Sequence, residues 1–143
     1  MTLEEVLVWL KSLGVKPDHY YCGTLNAKKP KSFGLYQLET KQPRQVAIGG
    51  LSATKSARKG AAILVHWNES SRESENTALS LYKAIETAVS AEIGHSKVSY
   101  IELPYNEPIC VGTDDHGIFE FVIDVIFHYE RPANKSQVEI SDF

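Results

Sequence analysis

A chain of 143 residues with 43% hydrophobic and 23% charged residues has the composition of a folded globular domain, and it is long enough to bury a core without staples. Its formal net charge of -3 gives no overall electrostatic reason to expect nucleic acid or an anionic membrane as partner. Two cysteines, Cys22 and Cys110, do not make a disulfide framework, and no apolar run approaches the ~20 residues of a membrane span.

The opening MTLEEVLVWL carries acids, no basic region and only a short apolar run, so no signal peptide is expected and the chain is read as soluble in a reducing cytoplasm. Leu3, Val6, Leu7, Leu10 and Leu13 recur at helical spacing. Thr2 and Glu5 fit a capping box, Gly14 supplies the left-handed C-terminal residue, and Pro17 ends the segment. Trp9 is expected in the core. The period then changes. HYYCGTL, FGLYQLET and QVAI read as strands, separated by the turns NAKKPKS and KQPR, and together they predict antiparallel pairing. After a loop, AAILVHW reads as a buried strand.

The second helix is predicted from Ala78, Leu81, Tyr82, Ile85, Ala88 and Val89, with Glu75, Lys83, Glu86 and Ser90 on its exposed face. Ser70 and Glu73 have capping-box spacing, and Gly94 stands where a C-terminal glycine belongs. KVSYIEL and EPICVG follow as short strands. The turn TDDHG leads into the longest strand, Ile118 to Tyr129. One of its faces is apolar throughout. The other alternates Ile118, Glu120, Val122, Asp124, Ile126 and His128, so it is half polar. The predicted fold is α+β, a mainly antiparallel sheet packed with two main helices. Residues 1–131 are expected to form a single domain and 132–143 a polar, flexible tail.

IGGLSATKSARKG, Ile48 to Gly60, is the nearest approach to a known motif. Gly49 is followed by four residues and then Thr54, Lys55 and Ser56, almost a phosphate-binding loop. Such a loop needs a helix behind it to hold phosphate. Here Gly60 and a β-branched run follow at once, and Thr54 stands where the second glycine belongs. The segment is therefore read as a solvated basic loop carrying Lys55, Arg58 and Lys59. No two of the five histidines stand at i, i+4 on a helix, and none lies near a cysteine at ligand spacing, so no metal site is expected. Asp114 and Asp115 are read as turn formers, and both cysteines as small apolar strand residues. Lys28, Lys29 and Lys31, flanked by Tyr20, Tyr21 and Phe33, could bind nucleic acid, but a solvated turn is the plainer reading. No catalytic motif is found. The expected protein is not an enzyme and takes no cofactor.

Four segments carry a wider likeness: LEEVLVWLKSLG, AAILVHW, SENTALSLYKAIETA and GIFEFVIDVIFHYE. In their order, from Leu3 to Arg131, the chain resembles the tailed-phage minor capsid and tail terminator proteins of the head–tail junction. The likeness is one of element order and sequence style, without an invariant motif. It implies an α+β subunit of a homo-oligomeric, hexameric ring in the virion, assembled in the cytoplasm of a bacterial host. The implied partners are a tail tube protein and a head connector or stopper protein, with DNA passing through the lumen and no membrane. On this reading Lys55, Arg58 and Lys59 form a lumen or partner-contact loop. Two alternatives remain: another connector or tail completion component, or a small soluble ligand-binding domain unrelated to phage.

Overall fold

The computed structural model describes residues 1–40, 56–88 and 91–130. Among these residues two helices and seven strands build an α+β fold around one mostly antiparallel sheet. Helix α1 (Leu3–Lys11) starts on the predicted capping box: the Thr2 hydroxyl accepts from the Glu5 N–H, and the Glu5 carboxylate accepts from the Thr2 N–H. A cap of this kind is worth about 1 kcal/mol. The chain leaves the helix through Gly14 at φ +88. Val6, Trp9 and Leu10 are buried, and the Trp9 ring meets Phe127 edge-on at 5.1 Å.

Strand β1 (His19–Cys22) pairs with β2 (Ser32–Gln37), and the pairing is parallel. The expectation of a purely antiparallel set is corrected here. Nine residues link the two strands, and they cross over the sheet instead of folding back as a hairpin. Strand β3 (Ser56–His66) lies antiparallel to β2 and, along its whole length, to β7 (Phe119–Glu130). Helix α2 (Ser71–Glu86) packs on β3 and β7 through Ala78, Leu81 and Ile85.

The Ser70 hydroxyl accepts from the Glu73 N–H as predicted, but the Glu73 side chain accepts from Asn68 instead of closing the box. Asn68 Oδ1 takes over the Ser70 N–H at 2.9 Å. The helix ends at Glu86, before Gly94. Gly94, at φ +61, is the first residue of the two-residue turn between β4 (Ala91–Ile93) and β5 (Ser96–Glu102). A glycine is required twice over there: the turn demands positive φ, and a Cβ would run into the Glu5 carboxylate. The predicted exposed residue Ser90 and the apolar Val89 lie outside the described residues.

The sheet order is β1-β2-β3-β7-β5-β4. Strand β6 (Ile109–Thr113) also pairs with β7, so β7 carries β5 beside its C-terminal half and β6 beside its N-terminal end. The sheet curls enough for α1 to touch β1 and β2 at one end and β4 at the other. The core fills the concave side, with Phe33, Leu35, Ile63, Val65, Ile123, Val125 and Phe127 pointing to the helices.

The predicted basic loop requires a second correction. Lys55 lies outside the described residues, as do Gly49, Thr54, KQPR, QVAI and the tail after Glu130. Arg58 and Lys59 stand in β3, opposite His128 and Phe127 of β7. The β7 ladder extends the strand back to Ser56, overriding Gly60 and the polar residues around it. Gly60 fits because the Leu38 carbonyl lies where its Cβ would be. A strand begins at Ser56 where a phosphate-binding loop would need a helix.

Candidate functional site

Two regions stand out once the sheet is built: a buried polar cluster on the convex face, and an apolar edge.

The cluster forms where the crossover covers the sheet. Residues on alternate sides of β3 and β7 place His66 directly opposite Glu120, and Ser32 of β2 opposite His66. The segment between β1 and β2 lies over this end: Leu25 packs on Gly34, and the Ala27 carbonyl sits 3.0 Å from His66 Nε2. His66 is fully buried. A carbonyl oxygen can only accept, so Nε2 carries a hydrogen and donates it to Ala27. The other ring nitrogen, Nδ1, faces two carboxylates, Glu120 Oε2 at 2.9 Å and Asp114 Oδ2 at 3.7 Å.

Asp114 opens the turn between β6 and β7, as its neighbours in TDDHG predicted. Its Oδ1 accepts the N–H groups of His116 and Ile118, which fixes the side chain. Its Oδ2 is buried and has no hydrogen-bond partner. Burial alone would raise the carboxyl. The two backbone N–H groups, together with His66 and His116, outweigh it and hold Asp114 below the ordinary aspartate value. Burial, and then the Glu120 charge, push the Tyr36 phenol up.

Spacing missed this cluster, because His66 and Glu120 are 54 residues apart and meet only through strand register. The one available signal was the half-polar face of the last strand, which set Glu120 among apolar neighbours.

The edge lies on the other side of β7. Among the described residues strand β6 pairs with β7 alone, and Ile109 and Val111 are 42% and 58% exposed on it. Edge strands of soluble proteins are ordinarily blunted by charge or cover, and β6 carries neither Lys nor Arg. Leu79 of α2, 44% exposed, borders a shallow groove of about 90 Å³ lined by Glu75, Glu107, Pro108 and Phe121 on the helix side of the sheet. Both cysteines stand in strands, as expected: Cys110 is exposed on β6, and Cys22 of β1 is half-buried.

Other sequence-based candidates separate. The Lys28, Lys29 and Lys31 turn is exposed, but Phe33 is fully buried and Tyr20 packs edge-on against it, so these aromatics form no surface platform with the lysines. Val8, 70% exposed on α1, lies on the flank of the helix away from the buried Val6, Trp9 and Leu10. No helix among the described residues is long and apolar enough to cross a membrane.

Compared with known proteins, the chain matches no protein-family model and no curated protein.

Proposed function

We propose that this protein is a structural ring subunit of a tailed-phage head–tail junction, of the tail terminator kind, that caps a tail tube and presents a second surface to the head connector. The reading rests on the resemblance of element order. The observation that carries it is the apolar edge of β6, which no other strand among the described residues covers. A closed ring joins two different patches on each subunit head to tail. Strand β6 supplies one such patch through Ile109 and Val111, and the exposed Val8 on α1 marks a second. A second copy of this chain is the occupant best matched to a strand that pairs on one side only among the described residues and exposes Ile109 and Val111.

Cys110 offers a direct test, because its thiol stands on the edge that a neighbour would cover. Labelling with a maleimide is followed at low and high protein concentration, with Cys22→Ser as the background. Slower labelling of Cys110 as concentration rises, abolished by Val111→Lys, is the expected result. Equal labelling at every concentration removes the β6 edge as the interface.

A further inference from the structure

We infer that His66, Asp114 and Glu120 form a binding site for a divalent transition cation, zinc being the best match. The inference does not depend on the ring reading.

The ligand atoms converge from three elements: Nδ1 of His66 at the end of β3, Oε2 of Glu120 on β7, and Oδ2 of Asp114 in the turn before it. All three atoms lie within 4.8 Å of one another. Atoms bound about 2.0–2.2 Å from one cation stand roughly 3–4 Å apart, and the two separations from Nδ1 are already 2.9 and 3.7 Å. Both separations from Nδ1 therefore stand close to those of a bound set, and the two carboxylate oxygens lie within 4.8 Å of each other.

Hydrogen bonding and charge both favour a cation over a proton. A second proton on His66 satisfies Glu120 at 2.9 Å but not Asp114, because 3.7 Å is too long for a hydrogen bond. Asp114 Oδ2 then stays buried and unpartnered. A histidinium also leaves two negative charges against one positive. A divalent cation with neutral His66 takes all three lone pairs and balances both carboxylates.

The surrounding groups orient the ligands as metal sites require. Ligand histidines characteristically donate their second ring N–H to a carbonyl or carboxylate, and His66 donates to Ala27. Asp114 is held through Oδ1 by two backbone N–H groups, so Oδ2 is aimed without further ordering cost. One imidazole and two carboxylates suit zinc or manganese. Calcium takes six to eight oxygens, which this site does not supply. Three protein ligands leave a fourth position for water. A bound ion would tie the crossover, β3, β7 and the β6–β7 turn together at one point.

The test uses the full chain, stripped with EDTA and dialysed, titrated calorimetrically with zinc chloride, with the cobalt absorption spectrum as a second readout. Wild type is expected to bind one equivalent and to gain several degrees in Tm in excess zinc. Asp114→Asn keeps an oxygen to accept from His116 and Ile118 but loses the anionic ligand. This variant and Glu120→Gln are expected to bind at least about ten-fold more weakly. His128→Ala and His116→Ala are expected to bind as wild type, which separates the cluster from surface histidines. Absence of saturable binding by wild type, or equal binding by Asp114→Asn, overturns the inference and leaves the cluster as the His66–Glu120 contact alone.

Discussion

Two histidine–glutamate pairs sit at opposite ends of β7 on the same face of the sheet, and their local geometry is nearly identical. His66 Nδ1 lies 2.9 Å from Glu120, and His128 Nε2 lies 2.8 Å from Glu102. Their surroundings differ. The His66 side chain is fully buried under the crossover, beside a second carboxylate. The His128 and Glu102 side chains are 20% and 44% exposed, and the Tyr100 ring stacks on His128 at 4.1 Å. Distance alone therefore says little about what a pair does. Water screens and competes with the exposed pair, so it contributes little to stability. In the first pair His66 has lost its hydration entirely while Glu120 keeps 21% of its side chain exposed, so His66 depends on its partners being present.

That contrast can be broken from the buried end first. His66→Ala leaves two carboxylates facing a vacated pocket and frees the Ala27 carbonyl, and it is expected to cost about 3–5 kcal/mol. Thermal unfolding would show this as a fall in Tm of roughly 10–20 °C. A loss as small as that of His128→Ala would erase the distinction between the two ends.

A smaller effect is expected from Asp114→Asn, and its pH dependence sharpens the comparison. Asp114 ionises below its ordinary value in the fold, so its stabilising contribution is present above the aspartate range and is lost as pH falls through that range. In metal-free buffer at neutral pH the variant is expected to be about 1 kcal/mol less stable than wild type. The gap should close on acidification, as followed by urea denaturation across a pH series. A gap independent of pH would assign the loss to the turn geometry instead of the charge.

Glu102→Gln stands at the bottom of the scale. Removing the charge from the exposed pair is expected to cost less than about 1 kcal/mol, and less again in high salt. A larger, salt-insensitive loss in the same denaturation assay would mean that Tyr100 shields the pair from solvent.

The same contrast explains what could be read from sequence. Helix α1 was legible to its caps because Thr2, Glu5 and Gly14 act within one turn of the segment they terminate. The long strand β7 was legible because its buried face, Phe121 to Phe127, alternates without a break. Long-range pairing hid the rest. Nothing within reach of Gly94 says that it turns a hairpin above Glu5, and nothing near Arg58 says that β7 extends β3 through it. Parallel pairing of β1 with β2 was obscured because a polar, lysine-rich connection spells a hairpin turn whether or not it folds back. The His66 cluster was invisible for the strongest reason of this kind: three elements supply it, and a one-residue change of register between β3 and β7 would put His66 and Glu120 on opposite faces.

The ring reading depends on association, and the most direct measurement is the mass of the full chain in solution by light scattering over a concentration series. The account predicts a species close to six times the 16.0 kDa subunit mass, growing in as concentration rises, and its loss when Val111→Lys places a charge on the β6 edge. A monomer at every concentration, or an oligomer indifferent to Val111→Lys, would contradict it.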